Sequence, residues 1–186
     1  MDADGPLVAA AAGGDIAAFE ALVRRHQTRL VGYLRGLTNA DSDAEDLAQD
    51  AFLRAYRSLA GFRGTSSFKT WLYQIATNVF RTWLEKKRNQ AGLSAVSLDA
   101  PVPGAPGENA TIEPAGETDP EARHVDRDAI DRALAMLPPE QREAVLLRDV
   151  EGFDYREIAG QLNVPLGTVE SRIFRGRQRL RELLKR

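Results

Sequence analysis

The 186-residue chain contains no cysteine, which excludes a disulfide framework, a thiolate metal site and direct thiol sensing. Its only two histidines, His26 and His124, lie far apart in the sequence. A zinc site or a histidine-based catalytic set is therefore not expected. No apolar run is long enough to span a bilayer, and the acidic, alanine-rich start lacks the form of a signal peptide. The chain reads as cytoplasmic, without membrane insertion. Strand-like alternation persists nowhere and no internal repeat stands out, which leaves helical periodicity as the main signal.

The net charge of −2 hides a pattern. Residues 63–88 carry six Lys/Arg against one acid, Glu85, and residues 165–186 carry seven against two, Glu170 and Glu182. Between them, residues 89–125 carry six acids against one base, Arg123. Nucleic-acid binding responds to local potential, so two basic stretches flanking an acidic one outweigh the total.

A short helix is expected near Leu7 to Ala11. A longer one spans roughly 15–36, with Asp15 as N-cap and Phe19, Leu22, Val23, Leu30 and Leu34 near helical spacing. The next spans about 42–59. Ser42-Asp-Ala-Glu45 has the form of a capping box, and Ala44, Leu47, Ala48, Ala51, Phe52, Ala55 and Leu59 form one apolar face. A loop from Ala60 to Thr65 leads into a helix from about Ser67 to Arg88. Residues 89–118, with Pro101, Pro103, Pro106 and Pro114, read as a flexible linker. Helical signal resumes at Asp119-Pro120 and again after Pro138-Pro139, where a helix should run to about Asp149. The fold class is all-α, with two small helical domains on a tether.

The last third reads as a helix-turn-helix. Asp154-x-x-Glu157 is a capping box, Ile158, Ala159 and Leu162 give the first helix a buried face, and Pro165 and Gly167 mark the turn. In the second helix Val169, Ile173 and Leu180 share one face, and small Gly176 between them admits a neighbouring helix. Thr168, Arg172, Arg175 and Arg179 form a stripe beside that face, with Ser171 and Phe174 further out. Arginine can pair with a guanine edge or with a phosphate, and only the first carries sequence information. This motif alone also fits LuxR-type response regulators.

The stretch from Phe62 to Arg88 interleaves aromatics, bases and small polar residues. Bases track a phosphate backbone, and a tight polar loop can receive an unstacked base. Helical spacing assigns Trp71, Leu72 and Ile75 to the core. The loop residues Arg63, Gly64, Thr65, Ser66 and Ser67, with Lys69 and Asn78, are the candidates for contact with nucleic acid. An Asn side chain both donates and accepts on a base edge.

Asp46-Leu-Ala-Gln-Asp-Ala-Phe-Leu-Arg-Ala-Tyr56, then Phe62-Arg-Gly, Phe68, Trp71-Leu-Tyr73 and Ile75-Ala-x-Asn78, followed by the terminal motif, resembles an extracytoplasmic-function (ECF) sigma factor of the sigma-70 family. The resemblance covers about Asp15 to Arg186, apart from the linker. It implies a promoter-specificity subunit of bacterial RNA polymerase and not an enzyme, with no cofactor and no metal. Region two corresponds to 1–90, the linker to 91–125 and region four to 126–186. The segment from Asp46 to Leu59 matches the family's docking surface for core RNA polymerase, with Asp46, Gln49, Asp50, Leu53, Arg54 and Arg57 outward. Leu53, apolar on a polar face, suits docking. The acids Asp41, Asp43, Glu45, Asp46 and Asp50 accompany no substrate or phosphate motif, so they do not suggest Mg²⁺.

The loop from Arg63 to Lys69, with Asn78, matches the family's reader of the single-stranded −10 element. The second helix of the terminal motif matches its reader of the −35 duplex. That places Tyr155, Thr168, Ser171, Arg172, Phe174 and Arg175 on promoter DNA. Glu170 stands where the family commonly has a base. The resemblance further implies a linker threading toward the polymerase active-site channel. Many members are held by an anti-sigma factor covering both domains, and the sequence does not identify such a partner here.

Overall fold

A computed structural model of the chain describes residues 3–90 and 127–185. Every regular element among them is helical. The linker at 91–125 and the helix start at Asp119-Pro120 lie outside the described residues. No described helix is long and apolar enough to cross a membrane.

Four helices form an amino-terminal unit: α1 (Gly5–Ala12), α2 (Ile16–Thr38), α3 (Asp41–Ser58) and α4 (Phe68–Gln90). The Asp15 carboxylate accepts the Ala18 N–H at 3.2 Å and starts α2, as its position in the sequence implies. Asn39, left-handed at φ 57°, ends α2. Asn tolerates this conformation because its short polar side chain bonds locally. The capping box expected at Ser42 and Glu45 does not form. A single residue, Ala40, separates the Asn39 turn from α3, so the helix begins at Asp41 and Ser42 lies inside its first turn. Thr38 serves the junction instead. Its hydroxyl donates to the Leu34 carbonyl at 3.0 Å and accepts the Ala40 N–H at 3.3 Å.

The core of this unit follows the sequence pattern closely. Ala44, Ala51 and Ala55 of α3 are fully buried and let α2 and α4 approach, where Leu22, Leu30, Leu34 and Leu72 fill the space. Burying each leucine contributes about 1.5–3 kcal/mol relative to exposure. Trp71 and Ile75, assigned to the core by spacing, are half-buried at its edge, while Phe68 is fully buried.

The carboxy-terminal unit holds α5 (Arg127–Ala135), α6 (Pro139–Val145), a π-helical turn (Leu146–Val150), α7 (Tyr155–Leu162) and α8 (Leu166–Leu184). Asp154 and Glu157 make the expected capping box, with reciprocal bonds of 2.8 and 2.9 Å. The turn differs from expectation in one respect. The left-handed residue is Asn163, at φ 53°, whereas Gly167 lies in the first turn of α8. Asn163 accommodates the reversal itself, so the turn does not require the freedom of Gly167.

The two units pack directly on each other. α4 lies on α7, and α2 lies on α5, α6 and the π-helical turn. Gly36 of α2 makes one close approach possible, since a Cβ there would stand 2.9 Å from Leu146 Cδ1. Arg142 of α6 ties the same region together. It donates to the Leu37 carbonyl at the end of α2 (2.9 Å) and to the Ala135 and Leu137 carbonyls (2.6 and 3.0 Å).

Candidate nucleic-acid and polymerase interfaces

On α8, Val169, Ile173 and Gly176 face inward at helical spacing. That places Ser171, Phe174, Arg175 and Arg179 on the exposed side, with Thr168 and Arg172 half-buried at its border. Phe174 is 64% exposed, a large apolar ring presented to solvent. Glu170 is exposed on the same helix. Among the described residues Arg175 and Arg179 form no ion pair, whereas Arg177 is held by a bidentate bond to Asp149. That bond raises the Arg177 pKa further, so this guanidinium anchors α8 to the π-helical turn. Tyr155 packs beneath Arg148, whose guanidinium carbon lies 4.9 Å from the ring centroid. The Ser171 hydroxyl donates to the Thr168 carbonyl (3.0 Å), and its oxygen can still accept a bond.

The loop before α4 is exposed from Arg63 to Ser67, with Gly64 at φ +67°. Its ends are fixed by aromatics. Phe62 and Trp71 meet at 4.9 Å between centroids, and buried Phe68 packs against Trp71 and His26. Ser67 caps α4, its Oγ accepting the Thr70 N–H at 3.0 Å. The sequence-derived candidates on α4 itself separate. Asn78 is exposed and shares its face by spacing with Trp71 and Gln74. Lys69 lies nearly opposite, in the row Lys69, Tyr73, Thr77 and Arg81. There its ammonium donates to the Glu151 carbonyl at 2.6 Å and lies 3.4 Å from the Glu151 carboxylate.

A third surface lies between α2 and α3. It is an open groove of about 720 Å³, lined by Ile16, Phe19, Val23, Phe52, Leu53 and Tyr56, with Asp46 and Gln49 at its polar edge. Ile16, Leu53 and Tyr56 are 61%, 49% and 42% exposed. Phe19 and Tyr56 pack at 4.9 Å and form its floor. Of the six residues read as outward on α3, Asp46, Gln49 and Leu53 line this groove. Asp50 and Arg54 pair with each other at 2.9 and 3.1 Å beside it, and Arg57 is exposed. The contribution of α2 escaped the sequence reading. Its signal is a second apolar row at Ile16, Phe19 and Val23, beside the buried row of Ala18, Leu22 and Leu30.

Two family descriptions match the chain: Sigma-70 region 2 over residues 22–90, and Sigma-70, region 4 over residues 127–180. The RNA polymerase sigma-H factor of Pseudomonas aeruginosa is 33% identical over 185 residues, spanning 100% of this chain and 95% of that protein. The ECF RNA polymerase sigma factor SigE of Mycolicibacterium smegmatis is 38% identical, over 93% of this chain and 65% of that protein. The ECF RNA polymerase sigma-E factor of Escherichia coli is 35% identical, over 89% and 85%. Among solved structures, the sigma factor RpoE bound to the anti-sigma factor NepR, from Bartonella quintana, matches with a TM-score of 0.71 and 28% identity, over 91% of this chain and 98% of that one. CnrH in complex with the cytosolic domain of CnrY matches at 0.69 and 26%, over 99% and 98%. The chain thus belongs to the sigma-70 family as an ECF sigma factor, the subunit that directs core RNA polymerase to specific promoters at transcription initiation.

Proposed function

We propose a division of labour between the two units. The amino-terminal unit, residues 1–90, docks on core polymerase through the α2–α3 groove and reads the −10 strand. The loop from Arg63 to Ser67, together with Lys69 and Asn78, carries that reading. The carboxy-terminal unit, residues 126–186, reads the −35 duplex through Tyr155 and the α8 residues Thr168, Ser171, Arg172, Phe174 and Arg175. Residues 91–125 connect them. The chain supplies positioning and strand separation in the cytoplasm, and the polymerase supplies the chemistry of RNA synthesis.

The observation that carries this reading is the two-sidedness of α8. Its buried side is seated on α6 through Gly176, while Arg175 and Arg179, without an ion pair among the described residues, stand beside exposed Phe174. Such a helix can insert its outer side chains into a major groove without disturbing its own core. An anti-sigma protein is a further proposed partner, by similarity to RpoE, which was solved with NepR.

Run-off transcription with purified core polymerase and a genomic promoter pool tests the assignment. Start sites that depend on this chain, with shared motifs at −35 and −10, support it. Tight duplex binding without polymerase, and no such starts, would favour an activator that binds DNA alone.

A further inference from the structure

Asp4 stands at the N-cap position of α1, where a carboxylate ordinarily accepts a backbone N–H of the first turn. It makes no such bond. Its side chain reaches back to α2 instead, where it lies 2.7 Å from His26 Nε2 and accepts from Arg25. Asp4 and His26 are 6% and 8% exposed, so their contact is buried between α1 and α2. Two polar groups that lose water must meet each other closely, which fixes the register of α1 on α2 and the orientation of the His26 ring. That ring packs on Phe68, with centroids 5.4 Å apart. Phe68 is fully buried, opens α4 and directly follows the exposed loop Arg63–Ser67. α1 also packs on the 3₁₀ turn Leu59–Gly61, which leads into the loop from its other end.

Between these ends the loop does little to support itself. Arg63 and Thr65 make no side-chain hydrogen bond or ion pair among the described residues. Its shape is therefore set where its ends are held. The Phe62 N–H donates to the Leu59 carbonyl at 3.0 Å, and the Thr70 and Trp71 N–H groups donate to the Ser67 hydroxyl and carbonyl at 3.0 and 3.1 Å. We propose that Asp4, acting through His26 and Phe68, is a positioning residue for the −10 strand, and that α1 holds both ends of the loop that reads it. This rests on the reading of Arg63–Ser67 as part of the −10 interface. The match to Sigma-70 region 2 begins at residue 22, so α1 lies outside it. At eight residues α1 is too short to keep its helix unaided, so its grip depends on buried Val8 and Ala11 and on the Asp4 contact.

Two substitutions divide this chain of contacts. Asp4→Ala cuts α1 from His26. His26→Gln keeps a donor for Asp4 and removes the ring from Phe68. Both are read on full-length chain whose helicity matches wild type. In the free chain, amide hydrogen exchange at Phe62, Thr70 and Trp71 reports whether the ends of the loop are held. In the complex with core polymerase, competition by a single-stranded oligodeoxynucleotide reports strand binding. Its sequence is the −10 element of the strongest start site in the promoter pool. A loop that keeps its binding shape about one-tenth of the time binds about tenfold more weakly. Both variants should therefore speed exchange at these amides and weaken −10 binding by up to about that factor. Core polymerase affinity and −35 duplex binding should stay at wild-type values. Unchanged exchange in either variant would overturn the positioning and leave the −10 reading of the loop standing. Faster exchange with unchanged −10 binding would overturn both together. A parallel fall in core polymerase affinity would make Asp4 and His26 part of the α2 scaffold alone, and would overturn the positioning as well.

Discussion

Gly176 and Val145 fix how α8 is seated: a Cβ on Gly176 would stand 2.6 Å from Val145 Cγ2 and 3.4 Å from the Gln141 carbonyl. Val145 is buried and the carbonyl is backbone, so little can give way. Gly176→Ala should cost about 1–3 kcal/mol by overpacking, despite alanine's better helix propensity. Urea denaturation measures it. A cost near zero would mean α6 and α8 can separate freely.

Arg175→Ala should leave stability within about 0.5 kcal/mol, because the side chain is exposed and forms no ion pair among the described residues. If Arg175 reads a base edge, duplex binding should weaken by about 1–3 kcal/mol and −35 preference should relax at one position. Equal weakening on all sequences identifies a phosphate contact instead. Binding to a panel of single-substitution −35 duplexes separates the two.

Leu53→Asp places a charge in the groove between α2 and α3. Leu53 is 49% exposed, so folding should be little affected. Affinity for core polymerase, read by fluorescence anisotropy, should fall by at least about tenfold, as at a buried apolar anchor of an interface. Unchanged affinity would place the docking surface elsewhere.

Glu143 gives stability a definite pH dependence. Burial raises its pKa above the ordinary carboxylate value of 4.5, outweighing Arg81. A raised carboxyl stabilises the fold fully below 4.5, and that contribution is lost as pH rises through the higher folded value. Glu143→Gln keeps a neutral side chain at every pH. The stability of wild type relative to this variant should therefore fall from pH 4.5 upward, by at most about 1.4 kcal/mol per pH unit. Paired denaturation series across that range check the sign.

Asn78→Ala should impair −10 recognition and leave core polymerase binding intact, because Asn78 is exposed on α4, away from the groove. Competition by −10 oligonucleotides against the assembled polymerase measures the first, and anisotropy the second. A parallel fall in polymerase affinity would make Asn78 structural.

Much of this molecule was legible because its cores are periodic. The alanine-rich face of α3, the Asp154–Glu157 box and the role of Gly176 each follow from local spacing and side-chain size. The boundary at Ser42 misled because Asn39 and Thr38 outside the helix decide where α3 begins. The contact between the units was invisible for a different reason. Lys69, Arg81, Glu143 and Glu151 are polar, and helical spacing assigns such residues to solvent. Only tertiary structure shows that Lys69 meets Glu151 across 82 residues of sequence and Arg81 meets Glu143 across 62. The groove lining from α2 was half legible, since Ile16, Phe19 and Val23 widen its apolar arc beyond what one core contact needs.

The division of labour between the units is tested most directly by sequencing transcript starts from one promoter pool with wild type, Arg175→Ala and Asn78→Ala. The account predicts starts that depend on this chain, with altered −35 preference for Arg175→Ala alone and altered −10 preference for Asn78→Ala alone. Both elements shifting together in either variant, or preferences indifferent to both substitutions, would contradict it.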